Sequence, residues 1–119
     1  MTKTRDAKII ALVLLLLIVS MFFSCPNPAE SVATIYVAGY YNNDSNKIAC
    51  YWKDGNKTDL PCNNNGKANS IFVSGSIAYI AGCYNDGSND IACYWKDEEK
   101  VDLPCNNNGM ANSIFVVTE

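Results

Sequence analysis

The chain carries the stretch Ile-Ala-Cys-Tyr-Trp-Lys-Asp twice, at residues 48–54 and again at residues 91–97. A second stretch, residues 59–66, recurs at the same spacing of 43 as residues 102–109. Aligning residues 35–74 with residues 78–117 gives 29 identities in 40 positions. Identity at a fixed period indicates one duplicated supersecondary unit, so the fold of one period decides the fold of the chain.

Within one complete period we predict four short strands. β-branched and aromatic residues alternate in these stretches and no helical period is present. The tight turn at Gly75-Ser76 separates the first two strands, because glycine supplies positive φ. The predicted strands are Asn69–Ser74, Ile77–Tyr84, Asp90–Lys96 and Lys100–Leu103.

Four antiparallel strands in about 40–45 residues have the size of one β-propeller blade. The repeated motifs Tyr-Val-Ala-Gly and Ala-Cys-Tyr-Trp-Lys resemble tandem repeats of treponeme-type lipoproteins of spirochaetes, over residues 34–117. The resemblance implies a propeller-like body and no particular reaction. The expected fold class is therefore all-β, with two four-stranded propeller-blade-like repeats behind an N-terminal signal or anchor helix.

The two ends of the repeat region are staggered. The first copy lacks its first strand, and an extra copy of that strand follows the second repeat at residues 112–117. We expect this closing strand to pair beside residues 35–41. Propellers have about 4–8 blades, so two blades leave apolar faces and edges open. Self-association into a ring, a small two-sheet sandwich and a truncated paralogue of a longer protein without its own activity all remain open.

The N-terminal segment has the features of an export signal. Lys3, Arg5 and Lys8 precede an apolar run from Ile9 to Phe23. The run has fifteen residues, which is short for a permanent span of about 20 residues and suits a signal peptide.

The end of this run resembles a lipobox, the site of lipoprotein processing. Phe22-Phe23-Ser24-Cys25 has a bulky residue at −3, a small residue at −1 and then the cysteine. Phe22 and Ser24 depart from the usual Leu and Gly or Ala, and are similar to the relaxed spirochaete pattern. The resemblance implies cleavage before Cys25 and lipidation of Cys25, including an acyl chain such as palmitate, which anchors the protein to a membrane. An uncleaved anchor helix and ordinary cleavage are the alternatives.

The predicted organisation is a signal peptide at 1–24, lipidated Cys25 and a tether at 25–33, repeat 1 at 34–76, and repeat 2 with the closing strand at 77–119. We expect a bacterial cell-envelope protein held to the inner or outer membrane. Beyond residue 24 the chain has six lysines, no arginine and eleven acidic residues, a net charge of −5. This charge argues against nucleic acid as a partner.

Catalytic chemistry has little support in the composition. Histidine is absent, which removes the commonest general base and metal ligand. An enzyme would have to use carboxylates such as Asp59, Asp102 or Glu98, as in a glycan-processing site. We expect no enzymatic activity, no cofactor and no metal. The loop with Asp86, Ser88, Asn89 and Asp90 offers oxygen ligands but lacks the EF-hand order, and is typical of a turn.

Two residue classes remain as candidates for binding or cross-linking. The aromatic residues Trp52, Trp95, Tyr51 and Tyr94 can stack on a ligand such as a sugar, although packing between blades is the commoner use. Export permits disulfides, and the candidate pairs are Cys83 with Cys93 and Cys62 with Cys105. The alternative is that these cysteines are small buried apolar residues. The expected role is binding or assembly, with an unidentified protein or glycan ligand and a possible homo-oligomer.

Overall fold

The computed structural model describes residues 26–119, which contain strands and no helix. Residues 34–119 form one compact unit, and residues 26–33 lie in no helix or strand. Two antiparallel sheets make up this unit, one of three strands and one of four. The expected all-β class is confirmed for this part of the chain. The predicted signal peptide and Cys25 lie outside the described residues.

The first sheet is built from repeat 1. Its strands are β1 (Tyr36–Asn43), β2 (Asn46–Lys53) and β3 (Asn56–Asp59), in that order. The register pairs Tyr36 with Lys53 and Cys50 with Asp59. β1 is therefore an edge strand, with one side of its backbone unpaired within the described residues.

The second sheet has the order β4-β5-β6-β7. Its strands are β4 (Gly66–Ser74), β5 (Ile77–Asn85), β6 (Asp90–Lys96) and β7 (Glu99–Asp102). These are the four predicted strands of one period: β6 has the predicted bounds, and no bound of the other three differs by more than three residues. A bulge between Ala68 and Ser70 shifts the pairing of β4 with β5.

Left-handed backbone conformations occur at the tight turns. Asp54 and Gly55 have φ of 49° and 83°, the pattern of the type I′ hairpin turn that Asp-Gly favours. The second copy makes the same turn with Asp97 at 50° and Glu98 at 71°. Gly75, at 62°, occupies the predicted turn between β4 and β5. Glu98 is thus held where glycine is preferred.

Contacts that recur at a spacing of 43 show that the two repeats share one structure. The Leu60 amide donates to the Ala49 carbonyl at 2.8 Å, and the Leu103 amide donates to the Ala92 carbonyl at the same distance. The Asn65 side chain accepts from the backbone of Lys47, as Asn108 does from Asp90. Identical residues in the two repeats therefore make the same local hydrogen bonds.

The hydrophobic core lies between the two sheets. Trp95 and Ile80 are fully buried, and Leu60 of repeat 1 is 3% exposed. The Trp95 indole N–H donates to the Pro61 carbonyl oxygen at 2.9 Å, across the boundary between repeats. β5 is the most buried strand, because it is an inner strand of its sheet and its Ile80 and Tyr84 also pack in the core with Leu60 of repeat 1.

The C-terminal segment, residues 103–119, forms no strand. The expected pairing of residues 112–117 beside β1 of the same chain is therefore wrong for this structure. The segment lies instead against the second sheet. The Ala111 amide donates to Gly82 O at 3.2 Å, and the Phe115 ring meets the Phe72 ring edge-on at 5.0 Å. These contacts hold it beside its own repeat and leave the β1 edge open.

Candidate functional site

An open polar cavity of about 320 Å³ lies where the two repeats meet. It forms where the end of β5 and the start of β6 approach the start of β2 and the start of β4. Because several backbone segments converge there, the cavity has polar groups from both repeats. The lining residues are Lys47, Asn65, Lys67, Cys83, Asn85 and Asp90.

Two lysines of this cavity have their ammonium groups near one aromatic ring. The Nζ atoms of Lys47 and Lys67 lie 5.7 and 5.9 Å from the ring centroid of Tyr40. Tyr40 is 45% exposed, so its ring is accessible to a ligand. Within residues 26–119, neither lysine has a carboxylate within 4.0 Å, since the ion pairs there are Lys57 with Asp59 and Lys100 with Asp102.

A hydrogen-bond frame fixes the floor of the cavity. The Asn85 side chain donates to Asp90 Oδ1 at 3.0 Å, and the Asn85 amide donates to the Asn65 carbonyl at 2.7 Å. The Asn65 side chain in turn accepts from the Lys47 amide at 2.7 Å. The backbone around both repeats is therefore tied together at this point, which positions the lysines.

The cavity lining contains several of the positions at which the two repeats differ. Four lining positions hold a different residue in the other copy, whereas most of the aligned positions are identical. Lys47 corresponds to Asp90, Lys67 to Met110, and Cys83 to Tyr40. The invariant asparagines build the frame, and the residues that differ supply its charge and shape.

The repeated aromatic residues have different environments. Trp95 is fully buried and packs between the repeats, so it is not accessible to a ligand. Trp52, its counterpart, is half-buried on the outer face of the first sheet, over Gly39. Tyr51 and Tyr94 are half-buried, and Tyr51 packs against the core. These four predicted aromatic residues do not converge on one site.

The predicted disulfide partners are free thiols in the structure. The register places Cys83 opposite Ala92 and Cys93 opposite Gly82. Neighbouring positions alternate between faces, so Cys83 and Cys93 point to opposite sides of the sheet. This register does not bring that pair together.

Cys62 and Cys105 each pack within their own repeat. A Cβ built on Gly66 would lie 2.6 Å from the Cys62 sulfur, and one on Gly109 would lie 2.9 Å from the Cys105 sulfur. Each cysteine thus contacts the glycine that begins the next segment. The alternative, that the cysteines are small buried apolar residues, holds for Cys83 and Cys93, which are buried, and not for Cys105, which is exposed.

Burial raises the pKa of the thiols inside the sheets. Desolvation raises the pKa of Cys93 to about 12 and also raises the pKa of Cys50 and of Cys83. Next to the cavity, the Asp90 carboxylate further raises the pKa of Cys83, while the Lys67 ammonium opposes this. These three thiols are therefore poor nucleophiles near neutral pH.

Two of the candidate catalytic carboxylates, Asp59 and Asp102, lie in equivalent clusters of the two repeats, whereas Glu98 is in the turn between β6 and β7. Tyr41 donates its hydroxyl to Asp59 Oδ2 at 3.0 Å, while Lys57 lies 3.4 Å from the same carboxylate. In repeat 2, Tyr84 donates to Asp102 at 2.9 Å and Lys100 lies at 3.6 Å. Each lysine also lies over the tyrosine ring. These clusters are structural features of β3 and β7.

Asp86 performs the turn chemistry that its loop predicts. Its Oδ1 accepts from the amides of Ser88 and Asn89 at 2.9 and 2.7 Å. These hydrogen bonds lower the pKa of the Asp86 carboxyl. Within residues 26–119, no group of three acidic, cysteine or histidine side chains is placed to hold a metal ion.

Sequence reasoning missed Tyr40, Lys47 and Lys67 as a group. Each of the three residues differs from its counterpart in the other repeat, and this difference is visible in the sequence. A difference between repeats does not show, however, that the three side chains lie close together. The meeting depends on how the second sheet packs against the first.

Among residues 26–119, no helix has the length and apolar character to cross a membrane. Comparison of the chain with protein families, with curated proteins and with solved structures finds no match.

Proposed function

We propose that this chain is a lipoprotein of a bacterial cell envelope that is anchored through Cys25 and binds a small acidic ligand in the cavity between its repeats. The positive segment, the apolar run and the Cys25 motif support the anchor. The tether at 25–33 then separates a propeller-blade-like body from the membrane. The protein acts by binding and not by catalysis.

The pair of lysines around Tyr40 is the observation that supports the ligand class. Two ammonium groups without a carboxylate partner among the described residues offer charge-assisted hydrogen bonds to one carboxylate. The exposed tyrosine ring beside them provides a flat apolar surface. A sugar acid has both features, one carboxylate and one apolar ring face.

The overall charge restricts this ligand further. Beyond residue 24 the net charge is −5, which repels a polyanion over long range. Asp90 also lies on the cavity wall. We therefore expect recognition of a single carboxylate at a chain end, and not of a long acidic polymer.

Calorimetric titration of the full chain in mild detergent tests the ligand. The probe is a disaccharide with one uronic acid, compared with its carboxyl-reduced neutral form. Lys67→Met and Lys47→Asp each install the residue that the other repeat carries. Losing one charge-assisted contact of about 1.4 kcal/mol weakens binding about tenfold. Lys96→Met changes an exposed lysine outside the cavity and is expected to bind as the unchanged chain does.

Equal affinity for both disaccharides, or an equal effect of Lys67→Met and Lys96→Met, would contradict the proposed site. The anchor has a separate test. Cells that express the full chain are labelled with radioactive palmitate. Label on the unchanged chain and its loss in Cys25→Ser are expected, whereas label that persists in Cys25→Ser would refute lipidation at this cysteine.

A further inference from the structure

The first sheet has an open outer face that is closed in the second sheet. Ile35 and Val37 are 62% and 50% exposed, whereas their counterparts Ala78 and Ile80 are 5% and 0% exposed. Trp52 is half-buried and Trp95 is fully buried. Repeat 2 buries these positions because repeat 1 packs on them. We call the open surface of Ile35, Val37, Gly39 and Trp52 the front face.

Repeat 2 exposes the surface that corresponds to the one with which repeat 1 covers repeat 2. Leu60 and Ala68, which cover the front of repeat 2, are 3% and 4% exposed. Their counterparts Leu103 and Ala111 are only partly buried. Phe115 and Val117 in the C-terminal segment are 76% and 73% exposed. We call the surface formed by residues 103–117 the back face.

Backbone pairing is incomplete at the same two places. β4 packs against the first sheet and pairs through its other side with β5. Residues 109–117 are the copy of β4, and they pack against the second sheet without a strand partner among the described residues. β1 is the copy of β5 and has a free edge. By analogy with β4 and β5, residues 109–117 and β1 would pair with each other, but the two segments of one chain are not paired in this structure.

We infer that the back face of one chain docks on the front face of a second copy, with residues 109–117 of the first adding a fourth strand to β1 of the second. The contact repeats the junction that this chain already makes between its two repeats. Strand addition at a sheet edge is an established recognition mode.

The internal junction gives the register of the contact. Shifting the β4–β5 pairs by one period places Ile114 opposite Val37 and Ala111 opposite Gly39 of the next copy. The indole N–H of Trp52, which has no acceptor within residues 26–119, then meets the Pro104 carbonyl as Trp95 meets Pro61. Tyr40 and Val37 lie on opposite faces of β1, so the Tyr40 ring does not belong to the front face.

Each chain contributes one front and one back, so the contact is heterologous and closes into a ring when the rotation allows. Two to four chains would supply the four to eight blades of a propeller. Substitution of Gly39 tests whether a backbone of a second chain lies as close to β1 as β4 lies to β5. A Cβ on Gly82 would lie 2.0 Å from the Lys67 carbonyl oxygen across the internal junction. A Cβ on Gly39 would lie 2.9 Å from the Trp52 ring, so Gly39→Ala also shifts this front-face side chain.

Sedimentation velocity of the full chain in detergent tests the contact. We expect a discrete assembly of two to four chains for the unchanged protein. Val37→Asp and Gly39→Ala are each expected to weaken association at least tenfold while circular dichroism stays that of a folded sheet. Val32→Asp makes the same change at another exposed valine, in the segment of residues 26–33 ahead of the sheets, and is expected to assemble normally.

Cross-linking in mixtures tests the direction of the contact. Chains with Val37→Cys and chains with Ile114→Cys are mixed and oxidised. Each variant is also oxidised by itself. The unchanged chain, oxidised in the same way, gives the background from the native cysteines. A new covalent dimer in the mixture beyond both separate samples supports the inference. A monomer at every concentration, equal effects of Val37→Asp and Val32→Asp, or a Val37→Cys dimer formed without the other variant would overturn it.

Discussion

The indole N–H of Trp95 donates to the carbonyl oxygen of Pro61 at 2.9 Å, over a separation of 34 residues. The donor belongs to repeat 2 and the acceptor to repeat 1. Trp95 is fully buried around this contact, so its polar atom is satisfied and its ring fills the junction. One side chain therefore joins the two copies by both packing and a hydrogen bond.

Removing this side chain is expected to destabilise the body strongly. Trp95→Ala deletes a buried aromatic ring, which costs about 3–5 kcal/mol. Trp52→Ala removes the same residue from a half-buried position and should cost clearly less. Urea unfolding of the full chain in detergent, at dilutions where chains are separate, measures both. Equal losses would show that the junction does not depend on Trp95.

Exchanging the turn residues of the two copies is expected to shift stability in opposite directions. Glu98 has φ of 71°, whereas the first copy has Gly55 at 83°. A side chain in this region costs about 1 kcal/mol or more. Glu98→Gly should therefore raise the free energy of unfolding by roughly 0.5–1 kcal/mol, and Gly55→Glu should lower it by a similar amount. Thermal unfolding of both variants checks this, and a change of the same sign in both would refute the turn assignment.

Thiol reactivity should follow the burial of the cysteines. At pH 8, Cys105 is exposed and should react first with iodoacetamide, followed by half-buried Cys62. Cys93, with a pKa raised to about 12, has a thiolate fraction of roughly one in ten thousand at this pH. Peptide mapping over time gives the order of labelling, with labelling in urea as the control. Early modification of Cys93 would contradict its buried position.

Alkaline pH is expected to destabilise the fold through Cys93. The folded-state pKa of about 12 lies above the value of 9.0 for a thiol in water, so the unfolded chain releases this proton first. Stability from the neutral thiol is complete below pH 9 and falls between pH 9 and 12, by up to about 1.4 kcal/mol per pH unit. Cys50 and Cys83 act in the same direction.

Urea unfolding at a series of pH values measures this slope. Cys93→Ala removes the titrating group and should flatten the loss of stability above pH 9, although it lowers stability at neutral pH. If the free energy of unfolding of Cys93→Ala falls above pH 9 as steeply as that of the unchanged chain, other groups cause the alkaline loss of stability.

The strands were predictable because their signals are local. Alternating apolar residues and the Asp-Gly and Gly-Ser turns determine where β4 to β7 begin and end, to within three residues. The path of residues 112–117 was not predictable. Their resemblance to β4 identifies them as a strand in need of a partner, but the choice of partner depends on which edge lies within reach.

The sequence by itself determined the repeat, its four strands, the likeness of the first residues to a lipoprotein signal and the absence of histidine chemistry. These properties rest on composition and on short-range patterns. Only the tertiary structure decided that Trp95 is buried while Trp52 lies at an open face, although both stand in identical heptapeptides. The physical reason is that burial depends on the neighbour, and only repeat 2 has a preceding repeat packed against it.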